Sequence, residues 1–457
     1  MNTLASRMEH RDYFSPRVET VCPVCLRPLS GRVEEREGEV LLAKTCPEHG
    51  FFASTLAPDL ASYRHLCRGS RKVTQPIARG GQTRRGCPHD CGLCPEHDQH
   101  TCLAILEITA RCDLGCPVCL AGSGPQGGDL TLGQAEHALT CLARYEDGLP
   151  PLQLGGGEPT QHPKLLAMVA LARSLGGDRI ELDSNGLALA ADPGLAVALR
   201  QAGLSGVYLQ MDTLQPEVSL AIRGRDLVTA KLAAVDHCLQ AGLEVVLSVT
   251  VAPGLNDQEM WSLVRLGLEL RLTGVNFQAL ALNGRFPPGL GQSRSRLTSL
   301  HFQQELVRQS GGKLREGDLT PIPCPDPRCG LLAYALVRQG ELLPLARLFN
   351  EDQMVDCLAD LKDWPTTLRH LQGQEGLGGS CGCSCGGPQP AELETLPPGV
   401  DYFAIGFHAM MDAYSLDLAR ARRCCVHLLR PDGGLVPFCL YNTLHRPGVR
   451  PPGVGLG

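Results

Sequence analysis

The chain has 457 residues, 43% of them hydrophobic and 20% charged, with a net charge of −6. That composition predicts a soluble globular protein of several domains, and it excludes nucleic acid as the main partner, which would call for a basic excess. No stretch approaches the roughly 18 apolar residues of a membrane span, and the N-terminal MNTLASRMEHRDYF lacks the apolar segment of a signal peptide, so the expected location is cytoplasmic, with peripheral contact at a membrane surface left open.

The 22 cysteines are the anomaly. Cytosolic disulfides are rare, and these cysteines cluster at two- and three-residue spacings, which suits metal ligands better than bridges. Cys22 and Cys25 in VCPVC and Cys46 and His49 in TCPEHG flank RVEEREGEVLLAK, which reads as a short hairpin. Two ligand knuckles joined by a hairpin describe a rubredoxin- or zinc-ribbon-like module within residues 1–80. Cys67 competes with His49 for the fourth position, and a mononuclear iron or zinc would serve to fold a segment too small to bury its own core. Residues 81–101 then carry Cys87, Cys91 and Cys94 in a C-x3-C-x2-C run, which Cys102 can complete as a closed auxiliary iron–sulfur cluster. A zinc site built on the same ligands is the alternative, because spacing does not separate the two metals.

From residue 102 to about 290 the chain reads as a βα repeat. Strands are expected at Cys102–Thr109, in PLQLGGGEPT (a short strand ending in a glycine turn), in RIELDSNG, in GVYLQMDT, in LEVVLSVTV and in GVNFQAL. Helices are expected over 131–145 (Thr131 as N-cap), 163–175, 193–202, 227–241 and 257–270. Six strands alternating with helices imply a parallel α/β sheet curled into a partial (β/α)6 TIM-like barrel, with its ligand site at the C-terminal strand ends. Cys112, Cys116 and Cys119, a second C-x3-C-x2-C run, follow the first strand there. So do the turn Gly156–Gly157–Glu158–Pro159, Asn185 and Asp212. Three thiolates without a fourth leave one iron of a [4Fe–4S] cluster open, whereas clusters closed by four cysteines only transfer electrons.

Residues 291–457 form a cysteine-containing C-terminal domain. Cys324 and Cys329 lie in PIPCPDPRCG, and Cys424, Cys425 and Cys439 in RCCVHLLRPDGGLVPFCLYN. Cys324, Cys329, Cys439 and one of Cys424 and Cys425, with Cys425 the named candidate, make a second auxiliary cluster. Cys381, Cys383 and Cys385 in GSCGCSCGG read either as a further metal loop or as a flap. Cys141, Cys238 and Cys357 stand alone on helices and read as core packing.

The triplet after the first strand and the GGEP turn after the second resemble the radical S-adenosylmethionine (SAM) enzymes. That resemblance implies a [4Fe–4S] cluster whose open iron binds SAM, with Gly156, Gly157, Glu158, Pro159, Asn185 and Asp212 contacting the cofactor. It also implies cleavage of SAM to a 5′-deoxyadenosyl radical that abstracts hydrogen from an unactivated C–H bond, fed by a reductant such as ferredoxin or flavodoxin. The N-terminal ribbon, the GCPHDCGLCPEHDQHTCL string and the CCVH…PDG…PFCLYN tail resemble the tetraether lipid synthases and their bacterial relatives, a group that includes methyltransferases acting on a dihydropterin. This second resemblance implies one or two auxiliary [4Fe–4S] clusters and C–C coupling of lipid chains. Methylation of a dihydropterin is the alternative, and a non-catalytic iron–sulfur electron carrier or metal-binding scaffold the alternative of another class.

Overall fold

The computed structural model describes residues 6–79, 83–287, 296–352, 354–355 and 400–447. Cys357, Cys381, Cys383 and Cys385 lie outside the described residues. Strands β1 (Ser6–Asp12), β2 (Arg17–Val21), β3 (Pro28–Arg36), β4 (Glu39–Cys46) and β5 (Gly50–Ala57) lead to helix α1 (Leu60–Leu66) and strand β6 (Arg68–Thr74). β2–β5 form an antiparallel sheet in chain order, while β1 pairs with β6. The expected hairpin is β3–β4, in register from Gly31 opposite Lys44 to Arg36 opposite Glu39.

The second layer begins at β7 (Leu103–Thr109) and continues through α2 (Leu132–Glu146), β8 (Leu152–Gly156), α3 (Leu165–Ser174), β9 (Ile180–Ser184), α4 (Leu187–Ala191), α5 (Pro193–Ala202), β10 (Gly206–Gln210), α6 (Pro216–Arg223), α7 (Val228–Gln240), β11 (Glu244–Val251), α8 (Met260–Glu269) and β12 (Gly274–Ala279). Each predicted strand and helix of the repeat is present; α4 and α6 are additional. Local chemistry explains the boundaries. Thr131 caps α2 in a reciprocal box with Gln134. Asp192 caps α5, Pro193 sits at its first turn, and Gly203 ends it at φ +107°.

β7–β12 are parallel neighbours in chain order. The sheet continues past both ends of that set. After α9 (Ser299–Gln309) and β13 (Thr320–Pro321) come β14 (Gly330–Arg338), β15 (Glu341–Pro344), β16 (Val400–His408), α10 (Leu418–Ala421), β17 (Val426–Leu429) and β18 (Leu435–Pro437). β16 adds parallel to β12 and β17 adds parallel to β7. Antiparallel strands β14 and β18 then lie outside them.

Alternation along the strands separates core from lumen. In β11, Val245, Leu247, Val249 and Val251 are buried in the main apolar core, while Ser248 and Thr250 face the other side. Glu107 in β7, Gln153 in β8, Asp183 in β9, Tyr208 and Gln210 in β10 and Gln278 in β12 share that second face. The lumen of the partial barrel is therefore polar.

Candidate active site and metal centres

The cysteine loop after β7 is held by backbone bonds and two arginines. Cys112 N donates to Gly124 O at 2.7 Å, and Cys119 exchanges hydrogen bonds of 2.8 and 2.9 Å with the backbone of Arg285. The Arg285 side chain donates to Cys116 O at 2.6 Å and Ser123 O at 2.9 Å. Arg223 donates to Val118 O at 3.0 Å and lies beside the Cys116 thiol. All three cysteines line one cavity of about 220 Å³ with the polar lumen below them. Burial pushes the Cys112 thiol up to about 11 and raises that of Cys116, so protons leave when a metal takes these sulfurs. Leu114 N, 3.4 Å from Cys112 Sγ, is placed to stabilise the thiolate.

The glycine turn after β8 packs directly under this loop. A Cβ on Gly156 would come within 2.2 Å of Thr109 O, and one on Gly157 within 2.2 Å of Arg111 O. The amides of Gly157 and Glu158 already donate to those carbonyls, at 2.8 and 2.7 Å. What the turn can offer a ligand is carbonyl oxygen, an acceptor suited to an ammonium group. Gly156, Gly157 and Asn185 line the cavity; Glu158, Pro159 and Asp212 are not among its lining residues.

The structure gives Glu158 and Asp212 other partners. The buried Glu158 carboxylate accepts from Thr160 N and Oγ1, from Ser184 Oγ and, at 2.6 Å, from Asn185 N. It thereby ties the end of β8 to the end of β9, and burial raises its pKa. Pro159 is buried and opens a short 3-10 turn. Asp212 forms a two-pronged pair with Arg223, 2.6 and 2.7 Å, and accepts from Thr250 N at 2.9 Å. Asp212 therefore stands behind Arg223, the residue that faces the cavity. Arg223 and Arg285 have no motif around them, and only their helix and loop positions bring them to the cysteines. Asp183 projects into the lumen, where desolvation by the surrounding protein and the neighbouring Glu158 push its carboxyl up to about 7. Glu107, on the opposite wall, accepts from Arg446 at 2.6 and 3.0 Å.

The other cysteines fall into several groups. Cys22, Cys25, Cys46 and His49 place their ligand atoms within 4.8 Å of one another. Cys67 is outside that set, a buried thiol pushed up to about 12 by desolvation. Cys87, Cys91 and Cys94 line a small pocket against Arg422, Pro437 and Leu440. Cys102 points elsewhere: its thiol hydrogen-bonds to Cys324 and Cys425 and lies 3.3 Å from His100 Nε2. That corrects the pairing of Cys102 with Cys87, Cys91 and Cys94. Cys329 neighbours Cys424 and Cys439. The physical reason is the strand pairing: Cys102 N donates to Cys425 O at 2.8 Å where β17 joins β7, which turns the two halves of the Cys424–Cys425 pair to different sides. Cys238 is buried in the main core, as read from its helix.

Comparison with known proteins settles the family. The Radical SAM superfamily matches residues 106–267, and the "HMPTM N-terminal zinc ribbon domain" matches residues 14–57. The GTP 3′,8-cyclase of Heliobacterium modesticaldum is 30% identical over 251 residues, 53% of this chain and 73% of the cyclase. The chain belongs to the radical SAM superfamily. A 7,8-dihydro-6-hydroxymethylpterin dimethyltransferase of Methanocaldococcus jannaschii is 29% identical over 489 aligned residues, 94% of each chain. Streptococcus suis SuiB bound to S-adenosylmethionine overlaps 46% of each chain at 13% identity with a TM-score of 0.37, too loose a match to build on.

As a radical SAM enzyme the chain uses a [4Fe–4S] cluster and SAM. The donor set fits: three thiols and, among the described residues lining the cavity, no fourth cysteine or histidine, with an arginine beside one thiol and the carbonyls of a glycine turn opposite. With cluster and SAM bound there, the site would supply one-electron reductive cleavage of SAM and, through it, hydrogen abstraction from a C–H bond. The chain's own part is to hold the loop with Arg223 and Arg285 and to surround the cavity with protein. No helix among the described residues is long and apolar enough to cross a membrane.

Proposed function

We propose that Cys112, Cys116 and Cys119 carry the reactive cluster, that the Gly156–Gly157 carbonyls and Asn185 receive the methionyl end of SAM, and that the enzyme acts on a dihydropterin-type heterocycle, ending in its methylation. The observation that supports this substrate reading is the polar lumen. Glu107, Gln153, Asp183, Tyr208 and Gln278 offer carboxyl, amide and phenol groups around a cavity of about 220 Å³. Such groups match the donor-and-acceptor edge of a pterin. The relative that aligns over 94% of this chain is named for a dihydropterin. The reading is tested by anaerobic turnover with SAM, dithionite and 7,8-dihydro-6-hydroxymethylpterin. Formation of 5′-deoxyadenosine should rise at least about tenfold over the substrate-free rate, and with a separate methyl donor present, a second SAM or a one-carbon carrier, a methylated pterin should appear in the mass spectrum; no rise would sink the pterin reading.

One observation favours a second reading, C–C coupling of lipid chains. Ala279, Leu280 and Met410 on the cavity wall also line a neighbouring small pocket with Leu56, Leu66, Leu297 and Ala409, beside Arg296, Arg328 and Arg420, a mixed recess in which an alkyl chain could lie along the apolar side. An alkyl or acyl lipid that stimulated 5′-deoxyadenosine where the pterin did not, with products of doubled chain length, would select it. In either case a low-potential carrier of the ferredoxin or flavodoxin type supplies the electron.

A further inference from the structure

We propose that His100, Cys102, Cys324 and Cys425 bind a single tetrahedral metal ion, zinc or ferrous iron, at the end of the sheet where β7 begins. His100 Nε2 lies 3.3 Å from Cys102 Sγ, and the ligand atoms of His100, Cys102 and Cys324 all fall within 4.8 Å of one another. The Cys102 thiol also neighbours Cys425, whose sulfur lies outside that 4.8 Å group and closes on the ion as the fourth ligand.

Spacing decides between one ion and a cluster. A tetrahedral ion with metal–sulfur bonds of about 2.3 Å holds its sulfurs about 3.8 Å apart. The N-terminal ribbon shows that spacing, with 3.4 Å from Cys46 to His49 and 3.9 Å from Cys25 to Cys46. In an iron–sulfur cluster each iron takes its own cysteine, so the sulfurs stand further apart. Among the described residues only these two groups draw so close; Cys112, Cys116 and Cys119 do not.

The surroundings of His100 are those of a ligand. Its Nδ1 lies 3.4 Å from Oε2 of the buried Glu146, whose Oε1 accepts from Thr101 N at 2.8 Å. A carboxylate this near one ring nitrogen favours the tautomer that leaves the other free for metal. The loop carrying Cys324 is held by Gln99, whose Nε2 donates to Cys324 O at 2.7 Å. With four protein ligands and no open position the site is structural. Binding replaces the three thiol protons with one ion and ties the start of β7 to the loop before β14 and to β17.

The test is metal and acid-labile sulfide analysis of the anaerobically purified holoprotein and its variants. His100→Ala should lose one equivalent of zinc or iron with sulfide unchanged, and His100→Cys should retain it. A parallel loss of sulfide would show a cluster and overturn the single ion; no loss of either would show that His100 is not a ligand. If His100→Ala does not fold, cobalt exchange into His49→Ala, where the ribbon site is disabled, decides the matter. Tetrahedral thiolate absorption supports the proposal and its absence overturns it.

Discussion

Replacing Asp212 with Ala should be among the most damaging single changes outside the cysteines. The carboxylate and the Arg223 guanidinium are only 4% and 7% exposed, they meet through two bonds of 2.6 and 2.7 Å, and Asp212 also accepts from Thr250 N. Removing one partner of a buried pair leaves an uncompensated charge and costs about 3–5 kcal/mol. Because Arg223 also bonds Val118 O in the cysteine loop, SAM cleavage should fall with stability. Urea unfolding of the anaerobic holoprotein, followed by far-UV circular dichroism at matched slopes, measures the first effect, and 5′-deoxyadenosine yield the second. The double variant Asp212→Ala/Arg223→Met should recover part of the stability, since no charge is then left buried, but not the cleavage. An Asp212→Ala variant within about 1 kcal/mol of the parent would refute this account of the pair.

Gly157→Ala places a Cβ 2.2 Å from Arg111 O and should reduce 5′-deoxyadenosine yield at least about tenfold, whereas Gly133→Ala on α2, where nothing lies within 4 Å, should be neutral or slightly stabilising; equal yields in the two would argue against the close approach. The Asp183 carboxyl, raised to about 7, is neutral below that pH and charged above it, so kcat/KM should break near pH 7 and Asp183→Asn should abolish the break; a break that persists belongs to another group. Cys46→Ser, or chelation, should open residues 14–57 to protease while the barrel stays protected; uniform resistance would show that the ribbon does not depend on its metal.

Much of the barrel was legible because its signals are local. The alternation in β11, the Thr131–Gln134 box and the Asp192–Pro193 start of α5 depend only on near neighbours in sequence. The outer strands were not legible: β16 contains the apolar FAIGFH, which fits core packing as well as a strand until its place beside β12 is known. Asp212 could be placed at a strand end, but its partner is on α6, a helix without a distinctive pattern. Cysteine spacing failed at Cys102 for a related reason. Its neighbours Cys324 and Cys425 arrive from distant segments, whereas Cys87, Cys91 and Cys94 merely precede it. His100 stood in the same motif, two residues ahead of Cys102, and a histidine that near a cysteine was the available signal.

The placement of β16 and β17 on opposite edges of the six-stranded sheet bears on how the protein is made. On a ribosome, β7 through β12 emerge first, and both outer strands of that set wait with unpaired edges until residues beyond 400 follow. Thiols at Cys102 and Cys324 wait equally long for Cys425. Metal binding by that group therefore waits on synthesis past Cys425, and until then bare edges and bare sulfurs stand open to wrong partners.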